Sequence, residues 1–454
     1  MTTRRAIGPL GATAIVAGSM LGVGIFLTPS LVAKSVSSPT LFLLLWVLGG
    51  VIAIAGAVTY AELGAMMPEA GGDYVYLDRA FGSSLSFAAG TLLFIGVFGG
   101  SIASMSAAVS QYQFSLLAST VGFDLSRTWL TLPGLNAEFT GVELVAMILV
   151  LALTGLNAVG VRLTSFTQSL LTAIPVGVLV IFAIFAFATA PHATAVPAEA
   201  ATPGASSIGA AVLNIYFAYA GWNAVAYVGG EVRNPGRNIP LGLLLGTAIV
   251  TGLYLLLCAA WISVLGMGGL ASVFEAGTAA AKALLGPQVE VLVAAIIAVA
   301  LVGSVNATVL GGARIGYAMG RDGAFLRSLG RLSARTEVPT RALWAQAFFA
   351  LFLIATGTFE RLVLLTSVAM FLLGCLTVCA LFALRKSEPD ADRPYRASWY
   401  PVLPLLYLVT GAAIILVAIK DFWQQVDLQT GFPLLGLGVF VVVWIVHSFA
   451  SRRE

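Results

Sequence analysis

The sequence predicts an all-α integral membrane protein, and three observations carry that prediction. Of its 454 residues, 59% are hydrophobic and only 9% are charged, whereas soluble domains carry about 25% charged residues. Its apolar stretches run for roughly 20 to 30 residues, enough to cross about 30 Å of hydrocarbon at 1.5 Å per residue. Its basic residues cluster on alternate loops. A soluble enzyme or a disordered chain needs far more polar surface than this, and a membrane barrel would show strands of about ten residues with alternating polarity.

Twelve spans follow in order: Gly8–Lys34, Thr40–Met66, Ser83–Ser119, Gly141–Gly160, Ser165–Ala188, Ser206–Gly230, Ile239–Gly266, Pro287–Gly320, Pro339–Gly357, Glu360–Leu384, Tyr400–Ala418 and Phe432–Phe449. Arg4 and Arg5 precede the first, which outruns a signal peptide and is read as a membrane helix. Between them the loops are short, so no soluble domain is expected. The outer segment Met267–Gly286 has room for a short surface helix, and Pro191–Pro203 reads as an outer Pro/Ala/Thr loop. With both termini in the cytoplasm, 18 of the 23 Lys and Arg residues fall inside, as the positive-inside rule requires. A multi-pass protein of the cell membrane is therefore expected.

Two spans carry breaks. The first contains Gly18, Gly22 and Gly24 within seven residues, each weakening a helix by about 1 kcal/mol relative to Ala. Such glycines also let membrane helices pack closely. The sixth places Asn223 beside Gly221 at mid-span. Spans one to five and six to ten form two halves that must be oppositely oriented, because five is odd, and each break falls in the first helix of its half. Paired interruptions of this kind point to a transporter site at an inverted-repeat interface. The chain divides accordingly into residues 1–190 and 191–385 as the two repeats, with 386–454 carrying a cytoplasmic loop and two extra helices. Amides at the positive end of the half-helix starting near Ile25 suit a carboxylate. Carbonyls closing the outer half of helix six suit an ammonium. Together these fit a zwitterion, an α-amino acid, without burying a charged side chain in lipid.

Other classes fit less well. A channel wants polar pore-lining rings from repeated subunits, and an intramembrane enzyme wants a Ser/Asp or His/Asp constellation at depth. The sequence shows neither, so no enzymatic activity is expected. A sensor that binds without transporting remains compatible with it. Cys258, Cys375 and Cys379 lie in apolar runs and read as packing residues. His192 and His447 are far apart. Glu62 and Glu231, near inner helix ends, read as structural partners of arginines or loop amides. Asp73 and Asp78 with Arg79 fit either an inner-gate network or a solvated surface. Trp46, Trp344, Trp399, Trp423 and Trp444 read as interface or packing aromatics, and Trp222 as packing beneath the site. The five arginines from Arg321 to Arg341 read as a topology signal.

The chain resembles the amino acid–polyamine–organocation superfamily, and within it the L-type amino acid transporters and their bacterial relatives. The resemblance spans ten helices: Gly22-Val23-Gly24-Ile25-Phe26, Tyr60-Ala61-Glu62-Leu63-Gly64, Pro68-Glu69-Ala70-Gly71-Gly72-Asp73-Tyr74-Val75-Tyr76, Phe217-Ala218-Tyr219-Ala220-Gly221-Trp222-Asn223 and Glu231-Val232-Arg233-Asn234-Pro235. It implies the leucine-transporter fold. It implies a substrate carboxylate on the amides of Val23 and Gly24, beside Gly22, and an ammonium on the carbonyls of Met20, Phe217, Ala218 and Ala220. Phe217 matches an outer gate, and Asn223 a position near the substrate side chain. Val23 stands where the family has Ser or Thr, and Ala220 where it has Gly. Pro175 aligns with a helix-five position that many relatives fill with Lys, so coupling through such a cation is expected to be absent. The expected activity is exchange or secondary transport of neutral L-amino acids; a polyamine or cationic amino acid exchanger is the alternative. No organic cofactor, nucleic acid or obligatory protein partner is expected. A sodium ion held by the carbonyls of Gly18 and Leu21 and the hydroxyls of Ser304 or Thr308 is the one inorganic possibility, unless those hydroxyls bond back to their own helix.

Overall fold

A computed structural model describes residues 5–132, 137–189, 205–356 and 359–424, and a few positions from 438 to 448. The chain is almost wholly helical. Six helices are continuous, long and apolar enough to cross a membrane: Pro39–Met66 (α3), Ser83–Ser119 (α5), Gly141–Val159 (α6), Val161–Thr189 (α7), Pro235–Ser272 (α10) and Pro287–Arg321 (α12). A seventh is the apolar stretch Met370–Ser387, part of a helix running Phe359–Ser387 (α14). An eighth is a bent pair, Pro9–Met20 (α1) and Val23–Ser35 (α2), which meet at 41°. Thr340–Thr356 (α13) and the apolar stretch Val402–Leu416 are shorter, the latter opening a helix to Gln424 (α15). The expected twelfth span, Phe432–Phe449, lies mostly outside the described residues, as does Pro191–Pro203 with His192.

The sixth span is short-stepped. It runs Ala205–Ala218 (α8), unwinds, and resumes as Ala224–Tyr227 (α9). Gly266 takes φ +67° and bends α10, so that helix reaches beyond the expected limit. Ala276–Leu285 (α11) fills the expected outer helix, capped by the Glu275 carboxylate on the amides of Gly277 and Thr278. Two elements have no counterpart in the sequence reading. Asp73–Phe81 (α4) follows α3, and a hairpin of Thr128–Leu132 (β1) and Ala137–Thr140 (β2) joins α5 to α6. Thr140 and Glu143 form a capping box that starts α6, so the hairpin ends where the next helix is fixed.

The core is aromatic and centres on the two broken spans. Trp46 lies edge-on to Tyr254, their centroids 5.8 Å apart, and Tyr60 edge-on to Trp222 at 4.8 Å. The end assigned to the cytoplasm is tied shut. Ile7 bridges Val232 and Ala70 bridges Val228, while the amides of Ala6 and Ile7 both donate to the Glu231 carbonyl at 2.9 Å. The Glu231 carboxylate takes a two-pronged bond from Arg314, with exposures of 0% and 1%. Glu62 pairs with Arg385 at 2.6 Å and Arg393 at 3.2 Å, and accepts from the Ala397 amide. Both acids therefore hold structural pairs.

Removing one side of the Glu231–Arg314 pair strands a buried charge, at about 3–5 kcal/mol. Glu231→Gln is expected to lower the melting temperature of the purified protein sharply. The double replacement Glu231→Leu with Arg314→Met is expected to recover most of the loss. A Glu231→Gln protein as heat-resistant as the parent would show the pair carries no stability.

Candidate functional site

The bends leave one cavity between the two broken spans. Met20, Gly22, Val23, Gly24, Phe217, Ala218, Ala220 and Asn223 all line it. The breaks interlock at van der Waals limits. A Cβ on Gly24 would stand 2.4 Å from the Cα of Ala218, and one on Gly221, already at φ +99°, would stand 2.6 Å from the Ser19 hydroxyl. Glycine is required at both positions: the first for close approach, the second also for its left-handed backbone.

The polarity of the break comes from which groups have partners. Helix α2 begins at Val23 behind Gly22, two residues before the expected start, with no side-chain cap. The amides of Val23 and Gly24 face forward as helix-start donors without intrahelical partners. The carbonyls are more heavily used. Met20's accepts from the Gly22 amide at 2.7 Å and from the Tyr254 hydroxyl. Tyr254 also reaches the Ala218 carbonyl at 3.1 Å. Phe217's accepts from the Ala220 amide at 3.1 Å. A carbonyl has two lone pairs. The Tyr254 hydroxyl has a single hydrogen; given to Met20, it fills that carbonyl and leaves Phe217 one free lone pair and Ala218 both. Ala220's carbonyl has no donor among the described contacts.

Tyr254 was not singled out in the sequence, where it sits inside a long apolar run. Its only signal is that a buried tyrosine hydroxyl needs a partner. The cavity floor was missed too. Asp73 lines it and is 1% exposed. It receives hydrogen bonds from the hydroxyls of Tyr60, Tyr227 and Thr377. Burial pushes its carboxyl above the ordinary range, and the three hydroxyls oppose that rise. Its neighbour Asp78 instead accepts from Ser86 at 2.8 Å, and Arg79 pairs with Glu388 at the surface.

The positions proposed for ion coupling are placed differently. Ser304 and Thr308 line the cavity. Ser304 donates across to the Ser19 carbonyl at 3.0 Å, and Thr308 back to the Ser304 carbonyl at 2.8 Å. Gly18 and Leu21 are buried behind the cavity wall. A Cβ on Gly18 would meet the Gln168 amide nitrogen at 2.2 Å and the Thr172 hydroxyl at 2.3 Å. The side chains of α7 that face the first break are therefore Gln168 and Thr172, with Pro175 in the next turn. They belong to a buried amide relay: Asn157 donates to Asn306 at 2.8 Å, Asn306 to Gln168 at 2.8 Å, and Gln168 to Thr172 at 3.2 Å. Thr172 then donates to the Ala14 carbonyl at 3.1 Å.

Comparison with known proteins places this geometry. The family model described as amino acid permease matches residues 7–446. The b(0,+)-type amino acid transporter 1 of Mus musculus is 27% identical, over 99% of this chain and 90% of that protein. The serine/threonine exchanger SteT of Bacillus subtilis (strain 168) is 28% identical, over 91% of this chain and 92% of its own. The large neutral amino acids transporter small subunit 2 of Homo sapiens is 25% identical, over 96% and 81%. With paired broken helices around one cavity and a family match along nearly its whole length, the chain belongs to the amino acid permease family of membrane transporters.

Proposed function

We propose that this permease exchanges neutral L-amino acids by alternating access. Twelve spans arranged as two inverted five-span halves with two further helices, and both termini in the cytoplasm, complete the reading. The observation that carries it is the polarity of the cavity: uncapped helix-start amides on one break, carbonyls with spare acceptor capacity on the other, and a lining whose single carboxyl, Asp73, is taken up by three hydroxyls. The cargo carboxylate sits on the Val23 and Gly24 amides. Its ammonium sits on the carbonyls of Phe217, Ala218 and Ala220, since Met20's is already saturated. Phe217, half-buried at the cavity edge, closes over the cargo from outside. The names of two of the relatives agree, one specifying large neutral amino acids and the other serine and threonine.

A cationic cargo is the weaker reading. The one carboxyl lining the cavity, Asp73, is engaged by three hydroxyls. Sodium coupling is also the weaker reading, because Gly18 and Leu21 lie outside the cavity lining that holds Ser304 and Thr308. The uncharged Gln168 relay offers no titrating group beside the first break. One relative's name marks it as a small subunit.

The deciding experiment is counterflow of labelled neutral amino acid in proteoliposomes. Exchange is expected to proceed equally with sodium or choline outside, and an imposed pH gradient is expected to drive no accumulation. Strict sodium dependence lost in Ser304→Ala would reverse the coupling assignment. Amidating the cargo carboxylate exchanges a charge-assisted acceptor for a neutral one, and such bonds are worth about 1.5–3 kcal/mol each. The amide is expected to compete at least tenfold worse, and equal competition would remove the carboxylate from Val23 and Gly24. Phe217→Ala is expected to abolish most exchange while the protein still expresses and purifies as a monodisperse species. Parental exchange rates in that variant would end the gating role.

A further inference from the structure

The floor of the cavity holds a carboxyl that neutral cargo does not need. Asp73 is buried, and the hydroxyls that reach it come from three elements: Tyr60 on α3, Tyr227 on α9 and Thr377 on α14. Among the described ion pairs none involves Asp73. As a carboxylate it accepts only, so all three hydroxyls donate to it.

That fixes the direction of a second bond. The Tyr227 hydroxyl has one hydrogen, given to Asp73, and its oxygen then accepts from the Asn223 side-chain nitrogen at 3.0 Å. A carboxamide is nearly symmetric in shape, and only its hydrogen bonds decide which end points where. With the nitrogen turned to Tyr227, the oxygen takes the other side. No described residue donates to it, and Asn223 lines the cavity.

We propose that Asp73, acting through Tyr227, is a positioning residue that turns the Asn223 carbonyl oxygen toward the cargo, so that the site prefers side chains that donate a hydrogen bond, hydroxyl-bearing amino acids foremost. This rests on the neutral amino acid reading of the cavity and narrows its cargo class. Threonine and valine have the same shape, but threonine offers a donor where valine offers a methyl that leaves the oxygen unpaired. A site built around a buried acceptor discriminates on that difference rather than on size.

The test is competition against counterflow of labelled alanine in proteoliposomes at neutral pH. Threonine is expected to outcompete valine by on the order of tenfold, about the worth of one hydrogen bond. O-methylserine, whose ether oxygen accepts but cannot donate, is expected to do no better than its isostere norvaline. Tyr227→Phe and Asp73→Asn are each expected to bring the threonine-to-valine ratio down to about twofold or less. A purely structural role would slow both competitors alike and leave the ratio intact. Equal competition by threonine and valine in the parent overturns the proposal. A preference for O-methylserine over norvaline also overturns it, because it would show the amide turned with its N–H groups inward. A ratio unchanged in both variants overturns it as well. Absence of alanine counterflow, with no neutral amino acid exchanged, removes the neutral-cargo reading itself and the proposal with it.

Discussion

Inside a bilayer, a backbone group that loses its helical partner has no water to turn to. Two helices broken at mid-membrane therefore depend on neighbours for every freed amide and carbonyl. The neighbours are specific here. Ser304 of α12 takes the Ser19 carbonyl, and Tyr254 of α10 bridges Met20 and Ala218 across the two breaks. What remains unpartnered is not random. It is the amides of Val23 and Gly24 on one side and the spare lone pairs of Phe217, Ala218 and Ala220 on the other. On the proposed reading, the supporting side chains define the cargo site by subtraction.

The same constraint explains why the breaks touch. Freed backbone is tolerable only when walled by protein, so Gly24 lies against Ala218 and Gly221 against Ser19 with no room for a Cβ. Around this seam Trp46, Tyr60, Tyr219, Trp222 and Tyr254 supply rigid apolar bulk, with hydroxyl tips available as donors. Toward the end assigned to the cytoplasm the closure thickens into backbone bridges, the buried Glu231–Arg314 pair and the part-buried Glu62–Arg385 pair. Breaking the Glu231–Arg314 pair from one side leaves an uncompensated charge, whereas Glu62 keeps Arg393 if Arg385 is lost. Backbone bridges and ion pairs thus close the same end of the two broken spans.

Much of this was legible in the sequence. Apolar run length gave the helices, with Ser83–Ser119 matching end to end, and clustered glycines gave the first break to within about two residues. The residues that the resemblance implies around the cargo line one cavity, and the glycines and asparagine among them stand out at mid-span as exceptions to an apolar pattern. The rest lay in contacts between distant segments. Tyr254 and Thr377 look like ordinary members of apolar runs. Asp73 follows Gly71-Gly72 in a loop that reads as either an inner-gate network or a solvated surface, and the positive backbone angles of those two glycines turn α4 so that its first residue enters the cavity lining. In α7, Gln168 and Thr172 meet Gly18, with Thr172 less than a turn from Pro175, a contact that depends on helix rotation and that a linear motif does not encode. The hairpin between α5 and α6 has too few residues per strand to stand out beside helices of this length.

The amide relay from Asn157 through Asn306 and Gln168 to Thr172 has an electrical consequence. It braces the first helix with dipoles alone, in the part of the protein where a lysine or a bound cation would otherwise sit. Moving one elementary charge through the full membrane potential involves about 2.3 kcal/mol per 100 mV. On the exchange reading, a carrier whose moving parts beside the break are neutral, and whose cargo is a zwitterion, transfers no net charge in either direction. Membrane voltage then does no work on the cycle, and its direction is set by the amino acid concentrations on the two sides.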